Sequence, residues 1–294
     1  MVKVKVKTKD FLQGINAASK AVPTKKDKHP IVRWYEFHFN GQLNINTTTG
    51  TTALMVPINA ENIECSDLEE NVKIHISPET IQLITKSIKE QKKPDIEIWV
   101  SNKEPNSKDD EIKWLGKGSM HRVVTFVSGT FIGGFTIYEH TSFPKIESLE
   151  NNFGKIGGRF FVIRKIFTDA LDRVIKELNI KMTGISYLYE YFVSIEYCKG
   201  WDDVKIVPYD TKNGIDKPPE GILHSCNIIP TNLNGKLILS ASILKKLLGA
   251  FPSNSDLEFE QTKISHDTSH VRINDPKTNI SAYILSNHRG VIRK

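Results

Sequence analysis

The candidate functional residues of this sequence are lysines on the polar faces of two predicted helices. Their chemistry is the binding of anions. On the first helix, predicted over residues 9–22, the side chains opposite the apolar stripe are Lys9, Gln13, Asn16 and Lys20. On the second, which follows Ser77, they are Gln82, Lys86, Lys89 and Lys93, with no acid among them. An ammonium group binds phosphate as a point charge, and a phosphate contact carries no information about base sequence. These rows therefore predict contacts with a phosphate backbone.

Two further predicted helices extend the pattern less consistently. The helix after Ser240 carries Lys245 and Lys246, whereas the helix over residues 163–178 mixes cations with Asp169 and Asp172. An ordinary solvated helix face is the alternative, because lysines near a helix C-terminus are also favoured by the macrodipole. The predicted DNA-binding set is Lys9, Lys20, Lys86, Lys89, Lys93, Lys165, Arg173, Lys176, Lys245 and Lys246.

Enzyme motifs are missing from the chain. It has no G-x-x-x-x-G-K-[ST], no G-x-S-x-G and no H-E-x-x-H. A glycine cluster at Gly154, Gly157 and Gly158 lacks the strand and Lys-Ser/Thr of a phosphate loop, so it predicts a flexible linker. We expect neither catalysis nor a cofactor. A nuclease with dispersed metal-binding carboxylates stays open, since such sites leave little local signature.

The amino-acid composition indicates a globular protein. The chain has 294 residues, 39% of them hydrophobic and 25% charged, with a net charge of +6, which is globular composition with room for two domains. No apolar run could span a membrane. Its three cysteines form no C-x-x-C pair, and His266 and His270 lie in a polar stretch. We therefore expect no disulfide framework, no metal site and a reducing, cytoplasmic location.

Strand patterns dominate between the helices. The N-terminal VKVKVK alternates charge with valine and predicts an edge strand rather than a secretory signal. Ser77-Pro78-Glu79 is a strong helix start: a capping serine, a proline at the first position and an acid facing the dipole.

The order of elements repeats along the chain. Each half contains a strand, a longer helix, several strands, and then a strand, a serine cap, an amphipathic helix and a polar turn before another strand. This internal duplication predicts two tandem domains. We place them at residues 1–148 and 159–294, joined by a linker over 149–158.

The sequence resembles the DNA sliding clamps, most closely those of the bacterial polymerase III β-subunit type. The segments that carry the resemblance are KTKDFLQGINAASKAVP, PIVRWYEFHFNGQLNINTTTGTTALMVPI, VKIHISPETIQLITKSI and FTIYEHTSFPKI. The resemblance implies an α+β clamp fold, with two tandem domains that each pack two helices on antiparallel sheets. Two features depart from the family: bacterial clamps have three domains per chain, and clamps are usually acidic.

The resemblance also implies a function and a set of partners. The chain would be a processivity factor that encircles double-stranded DNA without sequence specificity and tethers DNA polymerase, with a clamp loader as a further partner. A ring of six domains implies a homotrimer. A partner-peptide pocket would include Leu54, Pro144, Ile146 and Val291. Two other readings remain open: a β-rich nucleic-acid-modifying enzyme or its accessory subunit, and an interaction scaffold that never meets DNA.

Overall fold

The computed structural model describes most of the chain as two compact units. The described residues are 2–22, 34–49, 52–65, 72–103, 121–138, 146, 153, 156–181, 192–198, 200, 203–210, 215–216, 224–229, 235–263 and 268–287. One unit comprises Met1–Gly50 and Met55–Pro144, and the other comprises Thr51–Leu54 and Lys145–Lys294. The predicted domain limits at 148 and 159 remain predictions.

The first unit contains two helices and nine strands within its described residues, although the first three residues of the fourth strand, 52–54, are assigned to the other unit. In chain order they are β1 (Val2–Lys7), α1 (Thr8–Ala18), β2 (Tyr35–Phe39), β3 (Leu43–Thr48), β4 (Thr52–Ile58), β5 (Ala60–Cys65), β6 (Val72–Ile76), α2 (Pro78–Gln91), β7 (Asp95–Lys103), β8 (His121–Ser128) and β9 (Phe131–Tyr138). A short 3-10 turn, Ser19–Ala21, follows α1. One sheet has the order β5-β1-β7-β8-β9, and β4-β3-β2-β6 are neighbours in a second.

The second unit follows the same plan. Its elements are β10 (Ile156–Ile163), α3 (Arg164–Lys181), β11 (Phe192–Tyr197), β12 (Asp203–Asp210), β13 (Ile215–Asp216), β14 (His224–Ile229), β15 (Gly235–Ser240), α4 (Ala241–Leu248), β16 (Asp256–Lys263), β17 (Thr268–Asn274) and β18 (Ser281–Asn287). The strand order is β15-β11-β12-β14-β10-β16-β17-β18, and β13 pairs with β12.

Sheet order and helix caps confirm the internal duplication. The order β1-β7-β8-β9 in the first unit matches β10-β16-β17-β18 in the second, and β6-β2-β3 matches β15-β11-β12. The hydroxyl of Ser77 accepts a hydrogen bond from the backbone N–H of Thr80 at 3.1 Å, and that of Ser240 accepts one from Ile243 at 3.4 Å. Both predicted serine caps are therefore present at equivalent positions.

Equivalent phenylalanines fill the two cores. Phe11 is the fourth residue of α1, and its ring lies 6.1 Å from that of Phe37 on β2 and 6.0 Å from that of Phe126 on β8. Phe167 is the fourth residue of α3, and its ring lies 5.1 Å from that of Phe259 on β16. All are buried. In the first unit this contact fixes the apolar face of α1 against strands of both sheets, which leaves its opposite face to solvent.

The prediction that the N-terminal strand lies at a sheet edge is wrong. β1 lies inside its sheet, between β5 and β7. Its valines are buried, while Lys3 and Lys5 form diagonal ion pairs of 3.2 and 3.0 Å with Glu97 and Asp95 of β7, which are offset along β7 from the residues directly opposite the two lysines. Cross-strand pairing on the exposed face thus accommodates the lysines that indicated an edge.

The predicted flexible linker ends earlier than expected. β10 begins at Ile156, so residues 156–158 lie in a strand. A Cβ atom on Gly158 would lie 1.9 Å from the hydroxyl oxygen of Tyr197, which packs against this backbone and donates a hydrogen bond to Gln261 at 3.2 Å. The glycine indicated flexibility in the sequence, but in the fold it makes room for a buried tyrosine.

Replacing Gly158 by alanine is expected to lower the free energy of unfolding by about 1–3 kcal/mol, because the added methyl group overlaps Tyr197. Gly157→Ala is the matched control, since the nearest atom to its added Cβ would be a backbone oxygen at 3.7 Å, an ordinary contact. Urea unfolding of both variants measures the difference. Adding Tyr197→Phe to Gly158→Ala should recover part of the loss. Equal stabilities for the two alanine variants would contradict this packing.

The described part of the chain contains no helix long and apolar enough to cross a membrane.

Candidate nucleic-acid interface

In the first unit, each helix buries one stripe and exposes lysines on the other. On α2, Ile81, Ile84 and Ile88 are at most 2% exposed. Between them the solvent face carries Lys86 and Lys89, and Lys93 follows the helix end; all three are exposed. The helix ends where Lys92 adopts the left-handed conformation with φ of 51°. The lysines predicted to form a row on α2 therefore all lie on its exposed face or just beyond its end.

The first helix presents fewer cations. Lys9 is exposed, and Lys20 is half-buried in the 3-10 turn beyond α1. The predicted helix over residues 9–22 thus ends as an α-helix at Ala18. Its polar face carries a cation at each end, separated by the neutral Gln13 and Asn16.

The helix lysines of the first unit differ from its sheet lysines in their partners. Lys9, Lys20, Lys86, Lys89 and Lys93 form no ion pair with any residue that the structure describes. The β1 lysines do, and the last of these pairs joins the ammonium of Lys7 to Glu61 at 3.2 Å. Hydrogen bonding and attraction to Asp95 raise the pKa of Lys5, and Glu61 acts likewise on the pKa of Lys7. Of these two groups, only the helix lysines carry positive charge that no described acid neutralises.

In the second unit, the predicted cations are again exposed. Phe167, Ala170, Leu171 and Val174 form the buried stripe of α3, whereas Lys165, Arg173 and Lys176 face solvent. On α4, Leu244, Leu247 and Leu248 are buried, and Lys245 and Lys246 are exposed.

Lys245, a predicted DNA-binding residue of the second unit, is paired with an acid. The ammonium of Lys245 lies 2.7 Å from a carboxylate oxygen of Asp172, across the contact between α4 and α3. The sequence indicated that acids interrupt the row of cations on α3. The structure shows that one of these acids, Asp172, forms an ion pair. Asp169, on the same helix, is exposed and makes no ion pair within the described residues.

Of the four residues predicted to line a peptide pocket, the structure describes two, and both are buried. Leu54 is 0% exposed and Ile146 is 1% exposed. Pro144 and Val291 lie outside the described residues. The pocket stays a prediction.

The sequence reasoning missed the two most exposed large apolar side chains among the described residues. Leu83 on α2 is 63% exposed and lies beside the lysine row, off the Ile81–Ile84–Ile88 stripe. Ile132 is 71% exposed on β9, the end strand of its sheet. The exposure of Leu83 could have been predicted from the sequence, because Leu83 lies off the apolar stripe of α2. The exposure of Ile132 could not, because it depends on the order of the strands in the sheet.

The described residues of the site supply cations rather than a cluster of metal ligands. Among the described residues, no three His, Cys, Asp or Glu side chains are close enough together to hold a metal ion. The exposed helix faces instead offer ammonium and guanidinium groups, which bind phosphates without regard to base sequence.

Comparison with known structures identifies the class of fold: the chain has the fold of the DNA sliding clamps. The DNA polymerase III β subunit of Thermotoga maritima matches with a TM-score of 0.62 and 17% identity, over 98% of this chain and 65% of that chain. The Caulobacter crescentus β sliding clamp matches with a TM-score of 0.67 and 13% identity, over 97% and 65%.

A clamp of archaeal type matches over its whole length. A. fulgidus PCNA, in a structure with the C-terminal region of FEN-1 bound, gives a TM-score of 0.60 and 12% identity over 98% of both chains. This chain therefore spans about two thirds of the bacterial clamps, at 65%, and nearly all of the archaeal one. Neither a protein-family model nor a curated protein sequence matches it.

Proposed function

We propose that this protein is a DNA polymerase processivity factor, a sliding clamp that encircles duplex DNA without sequence specificity. The observation that carries the proposal is the combination of a duplicated clamp fold with lysines on the helices of the first unit that form no ion pair with any residue the structure describes. It acts as a binding protein and performs no catalysis. DNA polymerase and a clamp loader are its proposed partners.

The proposed assembly is a head-to-tail homotrimer. Three chains with two clamp units each supply the six domains of a ring. In keeping with this, the match to the archaeal clamp covers 98% of this chain and 98% of the archaeal chain. The end strand β9 offers a sheet edge to a neighbouring subunit, and its exposed Ile132 supports that role. An edge strand presents unpaired backbone groups that favour pairing with another chain.

Binding to unrelated duplexes tests the DNA proposal. Two 30-base-pair DNAs of different sequence should bind with equal affinity, because phosphates are the contacts. The affinity should fall steeply as salt rises, by about 0.9 logarithmic units per phosphate contact for each tenfold increase in salt. Fluorescence anisotropy across a salt series measures both. Binding that is insensitive to salt, or confined to one sequence, would contradict the proposal.

A partner peptide is proposed to dock near Leu54 and Ile146, with Pro144 and Val291 as further lining. Ile146→Asp is expected to abolish binding of a peptide from the cognate polymerase tail while duplex binding persists. Since Ile146 is buried, thermal unfolding must first show that the variant is folded. Normal peptide binding by a folded variant would remove this assignment.

A further inference from the structure

Two helices of the second unit that carry predicted phosphate-binding residues are joined by an ion pair. Lys245 belongs to α4 and Asp172 to α3, and their charged atoms are 2.7 Å apart. The side chains are 49% and 35% exposed, respectively. The contact is an ion pair, and partial burial reduces its screening by salt.

The pair changes what Lys245 can offer to DNA. A lysine that neutralises a phosphate must first leave Asp172, and the abandoned carboxylate would then repel the same phosphate. Lys165, Arg173 and Lys176 make no ion pair within the described residues and carry no such restraint. Lys245 therefore differs from Lys165, Arg173 and Lys176 in its availability, although all four side chains are exposed.

We propose that Asp172 is a positioning residue that withholds Lys245 from DNA and so limits the number of phosphate contacts made by this face. The inference rests on the proposed DNA-binding function. A protein that slides must exchange phosphate contacts readily, and every additional contact makes the bound state tighter and more salt-dependent. The carboxylate thus tunes the surface toward mobility rather than maximal affinity.

Charge removal on α3 tests the proposal, with a matched control on the same helix. Asp172→Asn should raise affinity for duplex DNA roughly eightfold near 0.1 M salt and steepen the salt slope by about 0.9, the effect of one added phosphate contact. Asp169→Asn removes the same charge from an exposed position without freeing a lysine. Its effect should stay below about twofold, with an unchanged slope.

A double-mutant cycle separates withholding from a general charge effect. In the wild-type background, Lys245→Gln should change affinity by less than about twofold, because this lysine makes no phosphate contact. In the Asp172→Asn background, the same substitution should abolish the gain. Thermal unfolding of each variant measures how much the ion pair contributes to the stability of the fold.

Three outcomes would overturn the inference, and they are distinct. Equal affinities and slopes for Asp172→Asn and Asp169→Asn would show that no lysine is released. If Asp172→Asn fails to fold, Lys245→Gln alone decides: a roughly eightfold loss of affinity would show that Lys245 already contacts DNA, and a loss below twofold would support withholding. A wild-type protein that binds no DNA would overturn the proposed function as well, whereas the first two outcomes leave that function intact.

Discussion

Replacing Lys86, Lys89 and Lys93 together by glutamine is expected to weaken duplex binding roughly 100-fold or more near 0.1 M salt. Three lost phosphate contacts reduce the salt slope by about 2.7, since each contributes about 0.9. All three side chains are exposed and form no ion pair with a described residue, so their charges are available to phosphates. Anisotropy titrations at several salt concentrations measure both the affinity and the slope.

The sheet lysines provide the matched control for this triple variant. Lys3, Lys5 and Lys7 carry the same total charge, but each is paired with an acid across neighbouring strands. Replacing them by glutamine changes the net charge equally and should leave the salt slope within about 0.5 of the wild-type value, because paired lysines release few counterions. Equal losses in the two triple variants would mean that net charge, rather than the helix surface, governs binding.

The second large effect is expected at β9, where Ile132→Asp should convert the proposed trimer into monomers. A carboxylate placed at a sheet edge resists pairing with a neighbouring chain, and burial of an unpaired charge in a subunit interface is costly. Because Ile132 is 71% exposed within the single chain, the substitution should leave the stability of the isolated unit within about 0.5 kcal/mol. Sedimentation equilibrium over a range of concentrations measures the assembly.

Leu83→Asp separates an interface effect from a general loss of exposed hydrophobic surface. Leu83 is similarly exposed, at 63%, but lies on α2 rather than on a sheet edge. This variant should remain trimeric, although its negative charge beside the lysine row should weaken DNA binding. Dissociation of both variants, or of neither, would argue against β9 as the subunit contact.

The two-unit plan could be predicted from the sequence because it depends on local signals. Ser77-Pro78 and Ser240 start helices through hydrogen bonds to backbone groups three residues away, which is information that the chain carries locally. The apolar periodicity of α2 likewise determines which of its lysines are exposed. The predicted site residues on the helices are therefore placed on solvent-facing sides.

Contacts between distant segments could not be predicted in the same way. Glu36 and His38 alternate with aromatic residues on β2, a pattern typical of a polar outer face, yet both are buried. Glu36 accepts a hydrogen bond from the side-chain amide of Asn46 at 2.9 Å and lies 3.3 Å from the His75 ring. Burial favours the neutral acid, but these hydrogen bonds outweigh it and lower the pKa of Glu36. This arrangement depends on the pairing of β2 with β3 and β6.

The Lys245–Asp172 pair has the same origin. The sequence indicated that acids interrupt the α3 row, but only the packing of α4 against α3 determines that Asp172, rather than Asp169, faces a lysine. Charge patterns along one helix are readable from the chain, whereas the partner of each charge is set by tertiary contacts.

Electron cryo-microscopy of the full-length protein with and without duplex DNA tests the central claim most directly. The proposed function predicts a closed ring of three chains, with six clamp domains around a hole wide enough for duplex DNA, and density for a duplex through that hole when DNA is present. Particles that remain single chains at tens of micromolar protein, or DNA bound on the outside of an assembly without a central hole, would contradict it.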